Sequence, residues 1–272
     1  MQDSLREYAR GIVGGLMFSL PLLYTMEVWW SGFTLGSDRI LLLLAFTMLI
    51  LLGYNTYAGV RSDETWVGVV IDSIEELGLG LLVSAFFLFL LGRIQPSDSV
   101  REVMGKIVVE ALLIAIGISI GTSQMSGDDD DSDQQEERGT RPRDILGVIN
   151  LSACGAVILA TNIAITDEIV VIGLESNSWQ LLGMVVVSLA LGALIMVFSD
   201  LLEDQSDKRH PNWLRFLFGS SVSYSVAFLC SAIILYLFGR FDGMAAQPCL
   251  AMTVVLTVAA SMGAAAGKIL IR

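Results

Sequence analysis

The sequence predicts an all-α fold, a polytopic membrane helical bundle of about eight transmembrane helices arranged as a duplicated 4+4 parallel repeat. Three observations lead to this prediction. Of the 272 residues, 54% are hydrophobic and 16% are charged, whereas about a quarter of a soluble domain is charged. The charges are crowded between apolar runs that are long enough to cross the hydrocarbon core as helices. Related motifs also occur in the same order in both halves of the chain.

Eight apolar segments account for most of the chain. They cover residues 11–34, 39–59, 66–92, 101–122, 145–172, 179–200, 213–239 and 246–270. Helices are the expected spanning element, because the segments are too long and too continuously apolar for alternating barrel strands. The first segment is expected to stay in the membrane, since Asp3 and Glu7 precede it and no signal-peptidase site follows it. Pro21 should kink or locally open this first span.

The repeat is read from three pairs of segments. Gly80–Ile94, GLLVSAFFLFLLGRI, corresponds to Ala227–Phe241, AFLCSAIILYLFGRF. The other recurring positions are Thr25, Glu27 and Gly32 with Thr166, Glu168 and Gly173, and Gly117 and Gly121 with Gly263 and Gly267. Because each half contains an even number of spans, both halves insert with the same orientation. The expected pseudo-two-fold axis therefore runs along the membrane normal.

Composition predicts three regions. Residues 1–122 form the first four-helix membrane repeat and residues 145–272 form the second. Residues 123–144 include the sequence DDDDSDQQEER, whose charge and lack of apolar residues predict a disordered acidic linker. With the N-terminus inside, eleven Lys and Arg residues lie on the inner side and five on the outer side. By the positive-inside rule the linker and both termini are then cytoplasmic.

Carboxylates inside the predicted spans are the main candidates for function, because a charge in the bilayer is costly and usually faces a cavity or a partner. Glu27 lies in the first span, and Asp167 and Glu168 lie in the equivalent part of the fifth span. Thr25 and Thr166 precede the two glutamates as supporting polar residues. The alternative interpretation is that these acids mark helix ends near the outer headgroups.

The third span carries a second group of acids, Asp72, Glu75 and Glu76, whose i, i+3, i+4 spacing places them on one helical face. Their counterpart in the seventh span is polar but uncharged and includes Ser220 and Ser223. One half is therefore expected to have kept the acids while the other became lined with hydroxyl groups. A later start of the third helix would explain Asp72 alone.

The fourth span adds a charged ladder. Lys106 is flanked at i−4 and i+4 by Glu102 and Glu110, and such a ladder is as consistent with a structural ion pair as with a functional one. Even with this pairing, the intramembrane acids outnumber the available cations. Oxygen ligands of this kind suit hard ions such as Ca²⁺, Mg²⁺ or Mn²⁺, or protons. Glu27, Glu76 and Glu168 are the candidate metal ligands.

The sequence offers little support for an enzyme. Gly117–Gly121 matches the G-x-S-x-G pattern, but it lies in a predicted helix and His210, the single histidine, is in a polar loop. Close helix packing through small residues explains the motif instead. The three cysteines lie in apolar segments without paired spacing, so neither a zinc site nor a disulfide framework is expected. No resident cofactor is expected beyond a bound or transported divalent cation.

The stretches Thr25–Trp30, TMEVWW, and Ile71–Gly80, IDSIEELGLG, together with the eight-span layout, resemble a family of bacterial polytopic integral membrane proteins whose domain has no assigned function. This resemblance implies a location in the bacterial inner membrane. It implies nothing about chemistry.

These features predict a cation transporter or channel. Glu27 and Glu168 would capture the ion and the third-span acids would pass it inward. Because desolvation favours the neutral form of a carboxyl group, exchange of metal for H⁺ would provide proton coupling. The alternative is a non-transporting scaffold or accessory subunit that acts through the acidic linker. The expected partners are the lipid bilayer, small inorganic cations and further copies of the chain, and the negative charge argues against nucleic acid.

Overall fold

The computed structural model describes residues 2–58, 65–125, 145–203 and 213–267, and the side chains in slightly narrower ranges. Within these ranges the chain consists of α-helices joined by short connections, with no strand. The helices divide into two compact units, Met1–Arg143 and Asp144–Arg272. The predicted all-α class is therefore confirmed. Residues 126–144 of the predicted acidic linker lie outside the described residues, so its disorder stays a prediction.

The described part of the first unit contains five helices in the order long, short, long, long, long. They are α1 (Gln2–Leu23), α2 (Met26–Thr34), α3 (Ser37–Ala58), α4 (Trp66–Leu90) and α5 (Val100–Met125). Helix α5 forms the centre of the unit, because it packs against each of the other four. Its middle turns, from Ala111 to Ile116, are almost completely buried.

The second unit has the same order of helices. They are α6 (Ile145–Ala164), α7 (Glu168–Glu175), α8 (Ser178–Glu203), α9 (Trp213–Leu237) and α10 (Ala246–Gly267). Its last helix, α10, is again the central one and packs against α6, α7, α8 and α9. Each unit is thus a bundle around the last of its described helices.

The first and fifth predicted spans, 11–34 and 145–172, are both interrupted. The first was predicted to kink or open at Pro21, whereas the break in the fifth was not predicted. Helices α1 and α2 are bent by 84° at their break. Pro21 remains inside α1, and the chain leaves the helix at Thr25, where the backbone is extended (φ −91°, ψ 121°). In the second unit, α6 ends at Ala164 and α7 begins at Glu168. Both breaks are followed by an acidic residue in the first turn of the next helix, Glu27 in α2 and Glu168 in α7.

Seven described helices are long and apolar enough to cross a membrane, and the bent α1–α2 pair would make an eighth span. This agrees with the prediction of about eight. In each unit the first and last helices meet through glycines. A Cβ at Gly14 of α1 would clash with the backbone of Gly117 and Gly121 of α5, and one at Gly155 of α6 would clash with the backbone of Gly263 and Gly267 of α10. The small-xxx-small motifs of the sequence are therefore helix-packing surfaces.

Candidate functional site

The charged ladder of the fourth predicted span lies on α5, the central helix of the first unit. The helix begins after Ser99, whose hydroxyl accepts a hydrogen bond from the Glu102 amide at 3.2 Å, as an N-cap side chain does. Glu102, Lys106 and Glu110 follow at successive intervals of four residues. The helix therefore aligns three ionisable groups along one stripe, from its exposed N-terminal turn into the core of the unit.

Lys106 is buried and fully paired. Its ammonium group lies 2.7 Å from Glu102 Oε1 and 2.9 Å from Asp98 Oδ2, and it donates a third bond to the Arg93 carbonyl at 2.9 Å. The hydrogen bond from Lys106 lowers the pKa of Asp98, which lies in the connection before α5. Sequence reasoning missed Asp98, because neither hydropathy nor helical spacing relates a loop residue to Lys106.

Glu110 differs from Lys106 in its polar contacts. Its side chain is 0% exposed, and neither carboxylate oxygen has a hydrogen-bond partner among the residues that the structure describes. The predicted ladder is thus formed on the Glu102 side of Lys106 only. An unpartnered buried carboxyl group carries a large desolvation cost in its ionised form. Glu110 is therefore the most unusual polar group of the first unit.

The contact between α1 and α5 indicates what surrounds Glu110. A Cβ at Gly15 of α1 would meet Ile114 of α5, and one at Gly11 would meet Ile118, so the helices run antiparallel. Glu110 lies one turn before Ile114, and this register places it level with Ser19 of α1. Ser19 is itself buried. The carboxyl group is thus enclosed near the last turns of α1, shortly before the chain breaks.

A cavity of about 300 Å³ opens beside the N-terminal turns of α5. Its lining residues are Met26, Trp29, Trp30, Phe33, Gly92, Arg93, Gln95, Asp98, Glu102 and Lys106. The Arg93 guanidinium lies 4.3 Å from the centre of the Trp29 ring, a cation–π contact. We call this space the α2–α5 cavity. Lys106 forms part of its wall, and Glu110 lies one helical turn deeper.

A second polar group, the Asn55 cluster, joins three helices of the first unit. Asn55 of α3 donates from Nδ2 to Ser73 Oγ at 3.0 Å and to Glu76 Oε2 at 2.7 Å, both on α4. Ser119 of α5 donates to Asn55 Oδ1 at 2.8 Å. Sequence reasoning selected Glu76 but missed Asn55 and Ser119, although an Asn within an apolar span is itself a signal of a buried polar contact.

The other third-span acids do not join the Asn55 cluster in the same way. Glu75 is exposed and Asp72 is half-buried, so the shared helical face predicted for Asp72, Glu75 and Glu76 extends from the protein surface to the interior. In the second unit, Ser220 donates to the Leu189 carbonyl at 2.7 Å and Ser223 to the Gly219 carbonyl at 3.1 Å. These hydroxyl groups satisfy backbone acceptors.

Glu27 and Glu168 lie at helix starts. Glu27 is in the first turn of α2, and Glu168 is the first residue of α7, where a negative charge interacts favourably with the helix dipole. The preceding hydroxyl groups bond to their own backbone, Thr25 to the Pro21 carbonyl at 2.7 Å and Thr166 to the Ile163 carbonyl at 2.9 Å. The placement of both glutamates matches the alternative interpretation that they mark helix ends.

Asp167 lies at the break between α6 and α7. Its side chain is 72% exposed and forms an ion pair with Arg240 at 2.8 Å. Arg240 also donates to the carbonyls of Ala164 and Ile165 at the end of α6, and so satisfies acceptors that a helix end leaves open. Arg240 thus connects the segment after α9 to the break between α6 and α7.

The described residues contain no group of three or more His, Cys, Asp or Glu side chains placed to hold a metal ion. Of the three candidate metal ligands, Glu27 precedes α3 and Glu76 contacts Asn55 near the opposite end of α3, while Glu168 belongs to the second unit. Within the first unit the structure thus separates Glu27 from Glu76. The arrangement it does offer is a single enclosed carboxyl group, Glu110, beside a paired lysine.

Its long apolar helices, packed around a central buried helix in each unit, define the chain as a polytopic integral membrane protein. The chain belongs to the family described as "Putative integral membrane protein (DUF2391)", whose model matches residues 7–271. The resemblance to a family of integral membrane proteins without an assigned function is therefore confirmed over nearly the whole chain. No curated protein and no solved structure shows a significant match to it.

Proposed function

We propose that this protein is a proton-coupled transporter of small inorganic cations in which Glu110 binds and releases the proton. The supporting observation is the enclosure of this carboxyl group in the central helix without a partner among the described residues. A carboxylate within a membrane is destabilising by several kcal/mol, and such residues are commonly proton relays or ion ligands. The presence of Glu110 therefore requires a functional explanation, whereas the apolar residues around it do not require one.

The second unit supports this interpretation. Gly32 of α2 packs against Lys106 of α5, and Gly173 of α7 packs in the same way against Met252 of α10. Four residues further along the central helix, Glu110 therefore corresponds to Leu256, which is also buried. The same packing is thus achieved in the second unit without charge, which indicates that Glu110 is not needed for folding.

The geometry favours a proton over a resident divalent ion. A divalent cation needs several oxygen ligands around one point, and the described residues offer no such cluster of acids. A single carboxyl group in a low-dielectric environment is suited to accept and donate one proton. The transported cation would then interact with the α2–α5 cavity and the Asn55 cluster, which lie toward opposite ends of α5.

The internal duplication and the membrane orientation are part of this proposal. Both units contain the same order of helices and the same glycine contacts between first and last helices, which supports descent from one four-span ancestor. The excess of inner Lys and Arg residues supports cytoplasmic termini in a bacterial inner membrane. In that orientation the α2–α5 cavity opens to the outside and the Asn55 cluster lies nearer the cytoplasm.

The test is ion flux into liposomes that contain the purified protein. Entrapped indicators would report H⁺, Ca²⁺ and Mn²⁺, and wild type would be compared with Glu110→Gln. Glu75→Gln is the matched control, because it removes an exposed carboxylate from the same unit. We expect flux in wild type and in the control, and its loss in Glu110→Gln.

Two results would contradict the proposal. Undiminished flux in Glu110→Gln would remove this residue from the transport mechanism. Flux that never exceeds that of empty liposomes would favour the alternative, a non-transporting scaffold or accessory subunit that acts through the acidic linker. A pull-down with residues 123–144 would then be the next measurement.

A further inference from the structure

We propose that Lys106 is a mobile counter-ion that exchanges between Glu102 at the α2–α5 cavity and Glu110 in the core, so that the charge on Glu110 controls the charge of the cavity. The inference rests on the proposed function, because it assigns the step that links proton release to cation binding. It concerns the same residues but makes a separate prediction about their ionisation.

The spacing of the three residues makes this exchange possible without movement of α5. Glu102 and Glu110 lie one turn before and one turn after Lys106, each displaced by about 6 Å along the helix axis. A lysine side chain has four flexible carbons and an ammonium group that can point along the helix in either direction. In the present structure the ammonium group points toward Glu102 and Asp98.

The packing around Lys106 requires its unbranched aliphatic chain but does not require its ammonium group. A Cβ at Gly32 would lie 2.5 Å from Lys106 Cγ, so α2 covers the aliphatic part of the side chain. At the corresponding place in the second unit, a Cβ at Gly173 would lie 2.5 Å from Met252 Cγ. An unbranched side chain therefore meets the steric requirement in both units. The ammonium group is an addition that only the first unit carries.

The protonation state of Glu110 would decide where Lys106 points. When Glu110 is protonated and neutral, Lys106 is held by Glu102, Asp98 and the Arg93 carbonyl, as observed. When the proton leaves Glu110 for water in the cavity, a buried carboxylate remains, and pairing with Lys106 offsets part of its desolvation cost. Glu102 and Asp98 then lose their shared counter-ion, and the cavity wall is left with two acids against one cation, Arg93. This net negative charge would favour binding of a cation.

Other charged groups lie farther from Glu110 along the helices that pack against it. On α1, the Arg10 carbonyl lies next to Gly121 of α5. Gly121 is about 16 Å from Glu110 along the axis of α5. On α4, Glu76 belongs to the Asn55 cluster at the level of Ser119, about 13 Å away by the same measure. Glu27 lies in the first turn of α2, and Asp38 and Arg39 begin α3. Lys106 is the cation that lies on the same face of α5 as Glu110.

Infrared difference spectroscopy of the reconstituted protein across a pH series tests this exchange. The C=O stretching band of a protonated carboxyl group that disappears in Glu110→Gln reports Glu110. In wild type we expect this band to vanish as the pH rises. In Lys106→Met, which copies the residue found at the corresponding place in the second unit, the midpoint should rise by about one pH unit or more, because the counter-ion is gone.

Glu102→Gln provides the opposite change, because it weakens the outward pairing of Lys106 and should lower the midpoint. Two outcomes would overturn the inference: a Glu110 band that is absent at every pH, or an unchanged midpoint in Lys106→Met. The flux assay separates this failure from that of the proposed function. Shifted midpoints without flux would preserve the counter-ion exchange and reject transport, whereas flux with unshifted midpoints would do the reverse.

Discussion

Lys106 and Glu110 lie one turn apart on the same buried helix, yet the lysine has three polar partners and the glutamate has none among the described residues. The sequence predicted that both residues belong to one ladder, since the i, i+4 rule is local. It could not predict which acid the lysine selects. That choice depends on Asp98 and on the Arg93 carbonyl, which the turn between α4 and α5 brings to the start of α5.

At this scale the structure predicts that Glu110 lowers the stability of the protein and is nevertheless required for its function. Glu110→Leu copies Leu256 of the second unit and removes a buried carboxyl group without a partner. We expect it to stabilise the protein by about 1 kcal/mol, within the range of substitutions that relieve a functional site. Thermal unfolding in detergent, followed by a thiol-reactive dye or by scattering, would measure the change.

The Glu110→Leu protein should show no proton-coupled flux in liposomes. Glu75→Leu serves as the comparison, because the same substitution at an exposed position removes no enclosed charge. A Glu110→Leu protein that unfolds at a lower temperature than wild type would show that the carboxyl group stabilises the bundle through a contact. It would then count as a structural residue.

At the scale of the helices, the centres of the spans were predictable and two of their ends were not. Hydropathy located all eight apolar segments, because a helix in lipid must satisfy its backbone internally and present apolar side chains. Pro21 predicted a kink or opening in the first span. The exact position of that break, at Thr25, and the break before Glu168 escaped detection because both segments stay apolar on either side. The acidic residues in the first turns of α2 and α7 were the signal in the sequence that could have located these breaks, since a helix start favours negative charge.

The glycine contact between α1 and α5 predicts a large effect for a very small substitution. Gly14→Ala would place a methyl group 2.6 Å from the Gly117 carbonyl oxygen and 2.7 Å from the Gly121 Cα, so the two helices must separate. Overpacking of this kind destabilises by about 1–3 kcal/mol. The temperature of thermal unfolding should fall accordingly.

Gly78→Ala is the matched control for this variant. Gly78 lies inside α4, where a Cβ would meet no heavy atom of the described residues within 4 Å. Because alanine favours the helical state by up to about 1 kcal/mol over glycine, this control should be neutral or slightly stabilised. Equal stability of Gly14→Ala and wild type would contradict the close α1–α5 contact.

At the scale of the whole molecule, the two units share a helix order and differ in charge. The first unit carries the buried Lys106, Glu110 and Glu76-linked Asn55, whereas the corresponding central helix of the second unit carries Met252 and Leu256. Two units that share a helix order and differ in charge are expected when one unit carries the ionisable groups and the other supports the bundle. The sequence comparison indicated this asymmetry at Ser220 and Ser223, but the more informative pair, on the central helices, became visible through the Gly32 and Gly173 contacts.

The orientation of the molecule decides which compartment the α2–α5 cavity faces, and it can be measured with two cysteines. In a variant without the three native cysteines, Ser97→Cys lies in the exposed connection between α4 and α5, and Ser132→Cys lies in the acidic linker. An impermeant maleimide added to intact spheroplasts should label Ser97→Cys, because one span, α5, separates the cytoplasmic linker from the α4–α5 connection and so places that connection outside. Ser132→Cys should react only after the membrane is opened. The reverse pattern would turn the cavity toward the cytoplasm and make Glu110 a site loaded from within, whereas labelling of both positions from one side would contradict α5 as a single complete span.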